Sequence, residues 1–332
     1  MDKRLPGQWA NSRRRFVLGG IAGAGAAVAP VSFAQLAYPV RPIRLVVAFG
    51  SGGIADTIAR TLSIRLSERM GQPVIVDNRP GAAGALGARL VNAAQPDGYT
   101  LLVTTAAVTV NASVSKEAVN PDTGLMPIVN VASTPTIFGV HGQAPSKSLM
   151  EFVRSAKSGR LTFGTAGVGT TEHLTAEFVF RGLAGIEATH VPFSSGLAAV
   201  SATIGQQVDI AVSSVPTAFG QLKAGTLRAV AVAARARMPS MPEVPTLKEA
   251  GFLDFENSSW IGIFGPPTLA PALVRRLNTD VNAVLRLGEV KERLATIGFD
   301  AQGGDANEFA AYVRTEIAKW ARVLQTTGIK PA

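Results

Sequence analysis

Three glycine-rich segments of this chain each follow a short apolar run and precede a helix-like pattern. They are Phe49–Gly53, Asn78–Gly84 and Gly164–Thr171. Glycine lets backbone N–H groups approach a bound molecule closely, and the helix that follows presents unpaired N–H donors with a partial positive charge. Each segment is therefore a candidate anion cradle. Such glycines also serve simply to make tight strand-to-helix turns, and the sequence leaves both interpretations open.

Four side chains near these segments also have two interpretations each. Asp56, in the first turn of the predicted helix after Gly53, either complements the helix dipole or accepts a hydrogen bond from a ligand amine or a water molecule. Arg79 pairs with a ligand carboxylate or with local carbonyl groups. Phe193 lines a cleft or covers the edge of a sheet, and His173 reaches the cleft from the start of its helix or is simply solvated.

Helix dipoles alone are too weak to hold a ligand. A micromolar dissociation constant corresponds to about −8 kcal/mol, whereas a helix dipole contributes about 0.3 to 2 kcal/mol. Hydrogen bonds to a charged group contribute about 1.5 to 3 kcal/mol each. Several donors on both sides of the ligand are needed, which favours two lobes that close as a clamp.

Patterns typical of catalytic, metal and cofactor sites are absent from the sequence. The three histidines, His141, His173 and His190, have no ligand-like spacing, and there is no cysteine. The glycine segments lack the endings of a P-loop and of a dinucleotide fold, and no Gly-x-Ser-x-Gly elbow follows a strand. We therefore expect no metal, no cofactor and no enzyme activity. An exported hydrolase or isomerase with Asp56 or His173 as its base is the alternative.

The N-terminus has the three parts of an export signal. Ser12–Leu18 contains consecutive arginines, Gly19–Ala29 is a weakly apolar run of small residues, and small residues stand at Ser32 and Ala34. The pattern predicts cleavage near Ala34 and favours the twin-arginine route, with an ordinary secretory signal as the alternative. Either route takes the protein out of the cytoplasm.

Charge and composition exclude several classes of protein. Loss of residues 1–34 removes five basic residues and one acidic residue and lowers the net charge from +9 to +5. The remaining basic residues are scattered without interleaved aromatics, so we expect no nucleic-acid binding. No later apolar stretch approaches the roughly 18 residues that span a bilayer. Without cysteine, the chain cannot be a lipid-anchored lipoprotein or a disulfide scaffold.

Short apolar runs alternate with amphipathic segments along the rest of the chain. The predicted strands are Ile43–Phe49, Val74–Val76, Leu101–Thr104, Val129–Ala132, Ile137–Val140, Leu161–Gly164, Ala188–Val191, Val208–Val212, Leu227–Ala231 and Trp260–Phe264. The predicted helices are Ile54–Met70, Gly84–Ala94, Leu149–Lys157, Thr170–Arg181, Gly196–Ile204, Pro216–Lys223, Ala270–Arg286, Val290–Ile297 and Glu308–Gln325. This alternation predicts two α/β lobes whose parallel sheets are covered by helices on both faces.

Two segments are predicted from composition rather than from periodicity alone. Ala234–Pro245 is rich in Arg, Met and Pro and is typical of a surface crossing. The last helix carries Phe309, Val313, Ile317 and Trp320 at helical spacing, so we expect the C-terminal helices to pack against the first lobe.

Several motifs taken in order resemble the solute-binding receptors of tripartite tricarboxylate transporters, the Bug-type proteins. They are Tyr38–Val47, Gly52-Gly53 with Asp56, Gln72–Gly81, Pro96–Leu102, Ala166–Thr170, Ala188–Phe193, Gly205–Asp209, Lys223–Arg228 and Pro242–Thr246. The resemblance implies a monomeric, two-lobe periplasmic binding protein of type II-like fold, with two crossing strands and a ligand cleft between the lobes. Lobe 1 would comprise residues 35–137 and 255–332, and lobe 2 residues 138–254.

The resemblance also implies a function and a set of ligand contacts. The receptor would capture a small carboxylated metabolite and deliver it to the membrane subunits of its transporter, or alternatively signal to a histidine-kinase ectodomain. By this resemblance the contacts are Phe49, Ser51, Gly52, Gly53, Asp56, Thr165, Ala166, Gly169, Thr170 and His173, with Phe193 and Ser213.

Three departures from the family pattern change the predicted polarity of the cleft. Phe49 lacks its flanking prolines, Phe193–Gly196 replaces Tyr-Lys-Gly-Gly, and Ser213-Ser214 replaces Asp-Asn. The sequence therefore does not identify the ligand.

Overall fold

The computed structural model describes residues 38–114, 118–156, 161–168, 170–238, 241–252 and 255–328. The predicted export signal and its cleavage site near Ala34, and Gly169 of the third glycine-rich segment, lie outside the described residues. The chain from Pro39 onward forms one compact unit. Along the described ranges, no helix combines the length and the apolar character needed to cross a bilayer.

Strands and helices alternate through most of the described chain. The strands are β1 (Ile43–Val47), β2 (Val74–Asn78), β3 (Thr100–Thr105), β4 (Met126–His141), β5 (Leu161–Thr165), β6 (Ala188–Pro192), β7 (Ile210–Ser214), β8 (Leu227–Val232), β9 (Ser258–Gly265) and β10 (Asp300–Gly303). The helices are α1 (Ile54–Met70), α2 (Ala85–Asn92), α3 (Ala107–Val114), α4 (Leu149–Ala156), α5 (Thr171–Glu177), α6 (Gly196–Ile204), α7 (Val215–Lys223), α8 (Pro271–Leu285), α9 (Gly288–Thr296) and α10 (Ala306–Thr327). A 3₁₀ turn at Ala82–Gly84 precedes α2, and a π-helical turn at Phe178–Leu183 extends α5.

The strands form two halves that share β4. In the first half the order is β2-β1-β3-β9-β4, with β10 also paired to β4; in the second half it is β4-β7-β5-β6, with β8 also paired to β4. The pairs β1–β2, β1–β3, β5–β6 and β5–β7 are parallel. Every pair that includes β4 or β9 is antiparallel. The prediction of wholly parallel sheets is therefore wrong, because the strands that cross between the halves run against their neighbours.

Two segments of chain cross between the halves. Residues 126–135 of β4 pair with β9, and residues 136–141 pair with β7 and β8. The prediction of separate strands at Val129–Ala132 and Ile137–Val140 is wrong, because the polar residues between them continue the same ladder. The returning chain crosses at Asn257, whose N–H donates to the Ala233 carbonyl and whose carbonyl accepts from the Thr136 N–H, both at 2.9 Å.

Each half has its own apolar core, and α10 contributes to both. Phe309 and Val313 pack with Trp260 in the first half, whereas Trp320 and Val323 pack in a cluster with Phe138, Phe163 and Phe180 in the second. The prediction that the C-terminal helices pack against the first lobe is incomplete for α10. Its 22 residues give a length of about 33 Å, enough to reach both cores.

The segment Ala234–Pro245, which the sequence predicts to cross the surface, is partly buried. Met241 and Val244 join an apolar cluster beneath β8, while the arginines of the same segment stay exposed. Isolated bridges at Val232–Thr246 and Met238–Met241 fold the segment back on itself. Its apolar side chains reach the core because the segment returns to the end of β8.

Candidate functional site

A cavity of about 410 Å³ lies between the two halves, where strands end and helices begin. The first half contributes the loops after β1, β2 and β3 and one face of β9; the second contributes the starts of α5 and α7. In open α/β sheets, ligands bind at the carboxyl ends of parallel strands. Two larger grooves, of about 650 and 600 Å³, lie along α10 and on the outside of β8, away from these strand ends. The position of the 410 Å³ cavity therefore makes it the candidate site.

The cavity wall is mostly apolar, with a set of hydroxyl groups. Aromatic and aliphatic side chains include Phe49, Ile54, Val110, Val168, Trp260, Ile261 and Phe299. The hydroxyl-bearing residues are Thr105, Thr170, Thr171, Ser214, Thr217 and Ser259. Of the described residues in the wall, Glu172 alone carries a charge. A ligand in this cavity meets apolar surface, hydroxyls and one carboxylate.

The helices α1, α3, α5 and α7 begin at the cavity, and hydroxyl groups lie at the starts of α3 and α7. At α3, the N–H of Ala107 is taken by the Thr105 hydroxyl at 3.2 Å. At α7, the Ser214 and Thr217 hydroxyls hydrogen-bond each other at 2.9 Å, and Pro216 occupies the first turn. The first N–H groups of a helix lack intrahelical partners and carry partial positive charge. Helix starts and hydroxyl groups in the wall are therefore compatible with an anionic group in the cavity.

The first glycine-rich loop faces two different spaces. Phe49 lies in the cavity wall, whereas Ser51, Gly52 and Asp56 line a separate surface groove beside α1 and Arg293. Gly53 is the N-cap of α1. Its N–H donates to the Gly50 carbonyl at 3.3 Å. The loop therefore presents one aromatic ring to the cavity and turns its polar groups elsewhere.

Asp56 fixes the shape of this loop. Its carboxylate accepts from the Gly52 N–H, the Arg60 guanidinium and the Asn78 side-chain amide, each at 2.9 Å. The same amide of Asn78 donates to the Phe49 carbonyl at 3.0 Å. The hydrogen bond from Arg60 lowers the pKa of Asp56 to about 2. Asp56 thus acts through its neighbours to position Phe49.

Hydroxyl groups and a histidine fix the loop after β5. The Thr165 hydroxyl is 2.8 Å from His190 Nε2 and donates to the Gly167 carbonyl at 3.2 Å. The Thr170 hydroxyl donates to the same carbonyl at 3.0 Å and caps α5 by accepting the His173 N–H at 3.2 Å. None of the hydrogen bonds just named, which hold this second loop, involves a charged side chain.

Behind this loop, the buried ring of His173 stacks on the half-buried ring of His190 in β6 of the second half. The ring centroids of His173 and His190 are 3.9 Å apart, and Phe163 stacks on His190 at 4.9 Å. Burial lowers the pKa of each histidine to about 4, so both rings are neutral near pH 7. His173 Nε2 lies 3.8 Å from a Glu177 carboxylate oxygen. Burial raises the pKa of Glu177.

The remaining predicted contacts lie around the cavity. Phe193 covers the end of β5, because a Cβ at Gly164 would stand 3.0 Å from its ring. Ala166 is exposed, and Ser213 is buried on β7 beside Ser214 of the wall. The Ser213 hydroxyl finds no hydrogen-bond partner within the described part of the chain.

The structure brings together some predicted residues and adds others. Of the predicted contacts, Phe49 and Thr170 lie in the wall, while Thr165 and His173 lie behind it. Residues that sequence reasoning missed include Thr105, Glu172, Ser214, Ser259 and Trp260. Thr105 and Ser214 come one and two residues after predicted strands and end the observed β3 and β7, so the strand-end rule could have indicated both. Nothing in the sequence places β9, with Ser259 and Trp260, opposite α5.

Comparison with known proteins decides the family. The sequence model of the tripartite tricarboxylate transporter family receptors matches residues 58–329. The chain belongs to this receptor family. Protein BugT of Bordetella pertussis is 30% identical, over 93% of this chain and 95% of BugT. The resemblance predicted from the motifs, including its Bug-type name, is confirmed.

Solved structures of the receptor family show the same fold with ligands bound. MatC from Rhodopseudomonas palustris, with bound malate, is 32% identical, covers 86% of this chain and 100% of its own, and has a TM-score of 0.72. A second R. palustris protein, with adipate, is 31% identical, covers 89% of this chain and 100% of its own, and has a TM-score of 0.75. The predicted periplasmic-binding-protein fold class is confirmed, and this receptor belongs to a family of solute-binding proteins.

Proposed function

We propose that this chain is a periplasmic receptor that captures a small carboxylated metabolite and delivers it to a tripartite tricarboxylate-type membrane transporter. The observation that supports this most directly is the cavity of about 410 Å³ between two halves joined by two crossing segments. Its size falls within the range of small-molecule sites. Malate and adipate, the ligands bound to the two R. palustris relatives, are both dicarboxylates.

The ligand carboxylate binds to neutral donors. No Lys, Arg or His occurs among the described residues of the wall. The hydroxyls of Thr105, Ser214 and Thr217 lie in the wall, where α3 and α7 begin, and supply donors to the carboxylate. Three or four such bonds, at about 1.5 to 3 kcal/mol each, reach the range of micromolar binding after ordering costs.

The predicted export signal supports a periplasmic location, and the receptor family supports a membrane transporter as the partner. The consecutive arginines ahead of an apolar run predict export, and the receptor family is named for its transporter. Two lobes that close on the ligand give the transporter a shape that differs between the empty and the loaded receptor.

The surroundings of Asp56 and His173, the two candidate catalytic bases, favour a binding role over an enzyme activity. Asp56 is committed to three hydrogen bonds that shape its loop and lines the separate groove. His173 is stacked against His190 in the core. Neither side chain lies in the cavity wall, where a general base would have to reach a substrate.

Thermal unfolding in the presence of ligands tests the proposal. The receptor is expressed with its signal, purified from the periplasm and screened with mono-, di- and tricarboxylates. A ligand at about 100 times its dissociation constant stabilises the folded state by about 2.7 kcal/mol, which raises the melting temperature. Recovery from the periplasm tests export in the same experiment.

Two matched variants assign any binding to the cavity. Phe49→Ala removes an aromatic ring from the wall, whereas Phe219→Ala removes an exposed ring on the second half outside it. We expect Phe49→Ala to weaken carboxylate binding at least tenfold and Phe219→Ala to leave it unchanged. Equal losses, or a screen without any saturable shift, would contradict the proposal. Uptake of the identified ligand by cells that carry each variant then tests the transporter role.

A further inference from the structure

Glu172 stands out in the wall of the cavity because it is a carboxylate among neutral groups. It lies in the first turn of α5, in the second half. One carboxylate oxygen accepts from the Ser259 hydroxyl at 3.1 Å, and the other from the Thr171 hydroxyl at 3.0 Å. Ser259 belongs to β9, so this contact joins α5 of the second half to β9 in the wall of the cavity.

Within the described part of the chain, no cation forms an ion pair with Glu172. The ion pairs among the described residues do not include it, and the described residues of the wall contain no Lys, Arg or His. A carboxylate has about four acceptor positions, of which the two hydroxyls use two. Glu172 therefore retains acceptor positions and a charge without an ion-pair partner among the described residues, in a half-buried position where opposite charges attract more strongly than in bulk water.

The position of Glu172 at a helix start explains why an acidic residue occurs there. It does not explain why the carboxylate lies in the cavity wall. An acidic residue in the first turn stabilises a helix from any side of that turn. The Thr170 hydroxyl already caps α5 by accepting the His173 N–H. A carboxylate needed only for the dipole gains nothing by lying against Ser259 in the cavity.

Asp56 is the other acidic residue near the loops, and it is fully engaged. Its three bonds at 2.9 Å include one from Arg60, which neutralises its charge. It also lines the surface groove rather than the cavity. A ligand amine therefore meets Glu172 and not Asp56.

Building on the receptor function proposed above, we propose that the carboxylated ligand also carries a protonated amine, and that Glu172 binds this amine. The carboxylate of the ligand lies at the starts of α3 and α7, and its amine lies toward α5. The apolar wall, with Phe49 and Trp260, packs on the carbon skeleton between them. The substrate class is thus amino-bearing organic acids rather than simple carboxylates.

Matched pairs of compounds test this inference. The pairs are butyrate and 4-aminobutyrate, pentanoate and 5-aminopentanoate, and hexanoate and 6-aminohexanoate, and within each pair only the amine, at the end opposite the carboxylate, differs. Binding is measured by isothermal titration calorimetry with the full receptor. A charge-assisted hydrogen bond of about 1.5 to 3 kcal/mol corresponds to about a tenfold to hundredfold preference. We expect at least a tenfold preference for the amine in each pair that binds.

Glu172→Gln tests whether Glu172 is the group that binds the amine. Glutamine keeps the length, accepts from one hydroxyl at its carbonyl oxygen and can donate from its amide to the other hydroxyl, while it removes the charge. We therefore expect the preference to fall below about threefold. The control is Glu187→Gln, which makes the same charge change at an exposed position of the second half outside the cavity wall. Melting temperatures of both variants without ligand establish that they fold.

The outcomes separate this inference from the function on which it rests. If simple carboxylates bind as tightly as their amino counterparts, the amine preference is wrong and the receptor function stands. A preference that survives in Glu172→Gln would also overturn the assignment to Glu172. If none of the six compounds binds, the result counts against the receptor function and this inference together.

Discussion

The loop at residues 49–53 in the first half and the loop at residues 164–168 in the second both join a strand to a helix beside the cavity. The first is held by a buried carboxylate, Asp56, which accepts from Gly52, Arg60 and Asn78. The second is held by the Thr165 and Thr170 hydroxyls and by the neutral ring of His190. The two loops therefore respond to different conditions.

Because their anchors differ, the two loops lose their anchoring interactions at different pH values. A charged anchor is strong at neutral pH and is lost only in strong acid, since the pKa of Asp56 is lowered to about 2. An anchor built on neutral histidines fails at a higher pH, since protonation places charge in the core. Four measurements test this contrast.

Removing the charged anchor has the largest expected effect. Asp56→Asn places an amide donor against the amide of Asn78 and removes the partner of Arg60, so we expect the free energy of unfolding to fall by about 3 kcal/mol. The control is Asp122→Asn, whose ion pair with Arg314 is on the surface and contributes less than about 1 kcal/mol. Urea unfolding at pH 7 measures both. Equal losses would contradict the anchoring role of Asp56.

Acid is expected to weaken the second half before the first. The pKa values of His173 and His190 are lowered to about 4 from 6.5, so the unfolded chain binds these protons first and stability falls as the pH drops from about 6.5 to 4. The contribution of Asp56 is present above pH 3.8 and is lost only as the pH falls from there toward 2. Calorimetric melting temperatures between pH 8 and 2 follow both transitions.

A pair of variants assigns the first of these transitions. His173→Phe keeps an aromatic ring in the stack and removes one titrating group, so it should flatten the curve between pH 6.5 and 4. His141→Phe makes the same substitution at the end of β4, outside the stack, and is the matched control. A slope that is the same in His173→Phe as in the wild type would place the titrating groups elsewhere.

Gly84→Ala is expected to affect binding more than folding. Gly84 has φ of +93°, and a Cβ there would stand 3.2 Å from the Phe49 ring that lines the cavity. We expect a loss of about 1 kcal/mol in stability and about a tenfold loss of ligand affinity. Gly71→Ala has similar backbone strain at φ of +68° with open space around it, so it should lower stability alone. An affinity loss in both would mean that strain, and not Phe49, is responsible.

Thr165→Val is expected to give the smallest effect. It keeps the shape of the side chain and removes the contacts to His190 and Gly167, for a cost of about 1 kcal/mol. Thr61→Val, which loses only a bond to a carbonyl of its own helix, should cost less. Differential scanning calorimetry at pH 7 compares them. A Thr165→Val protein as stable as the wild type would show that the second loop does not depend on this hydroxyl.

Elements with strong local signals were predictable from the sequence. The predicted bounds of α1 and α6 coincide with those observed, because glycines or a serine mark their ends: Gly53 and Gly71 flank α1, and Ser195 caps α6. The β1–α1 unit and its loop follow from the same local pattern. Phe49 ends a predicted strand, and ligand sites lie at strand ends, so its place at the cavity was also predictable.

Elements formed by tertiary contacts were not predictable. The segment Ala107–Val114 is rich in β-branched and small residues, yet it forms α3 where it packs against α10. The short polar strand β10 exists because it pairs with the edge of β4. Glu172 and Ser259 meet because β9 crosses back between the halves, and no local signal reports that topology.

The C-terminal helix α10 gives this molecule an optical signal. Its start is anchored beside Trp260 in the first half, and its own Trp320 is embedded in the second. Rotation of one half against the other must bend the helix or shift one end, and either movement changes the surroundings of an indole ring. Beyond the predicted export signal these are the chain's two tryptophans, so intrinsic fluorescence can follow ligand capture without an added label.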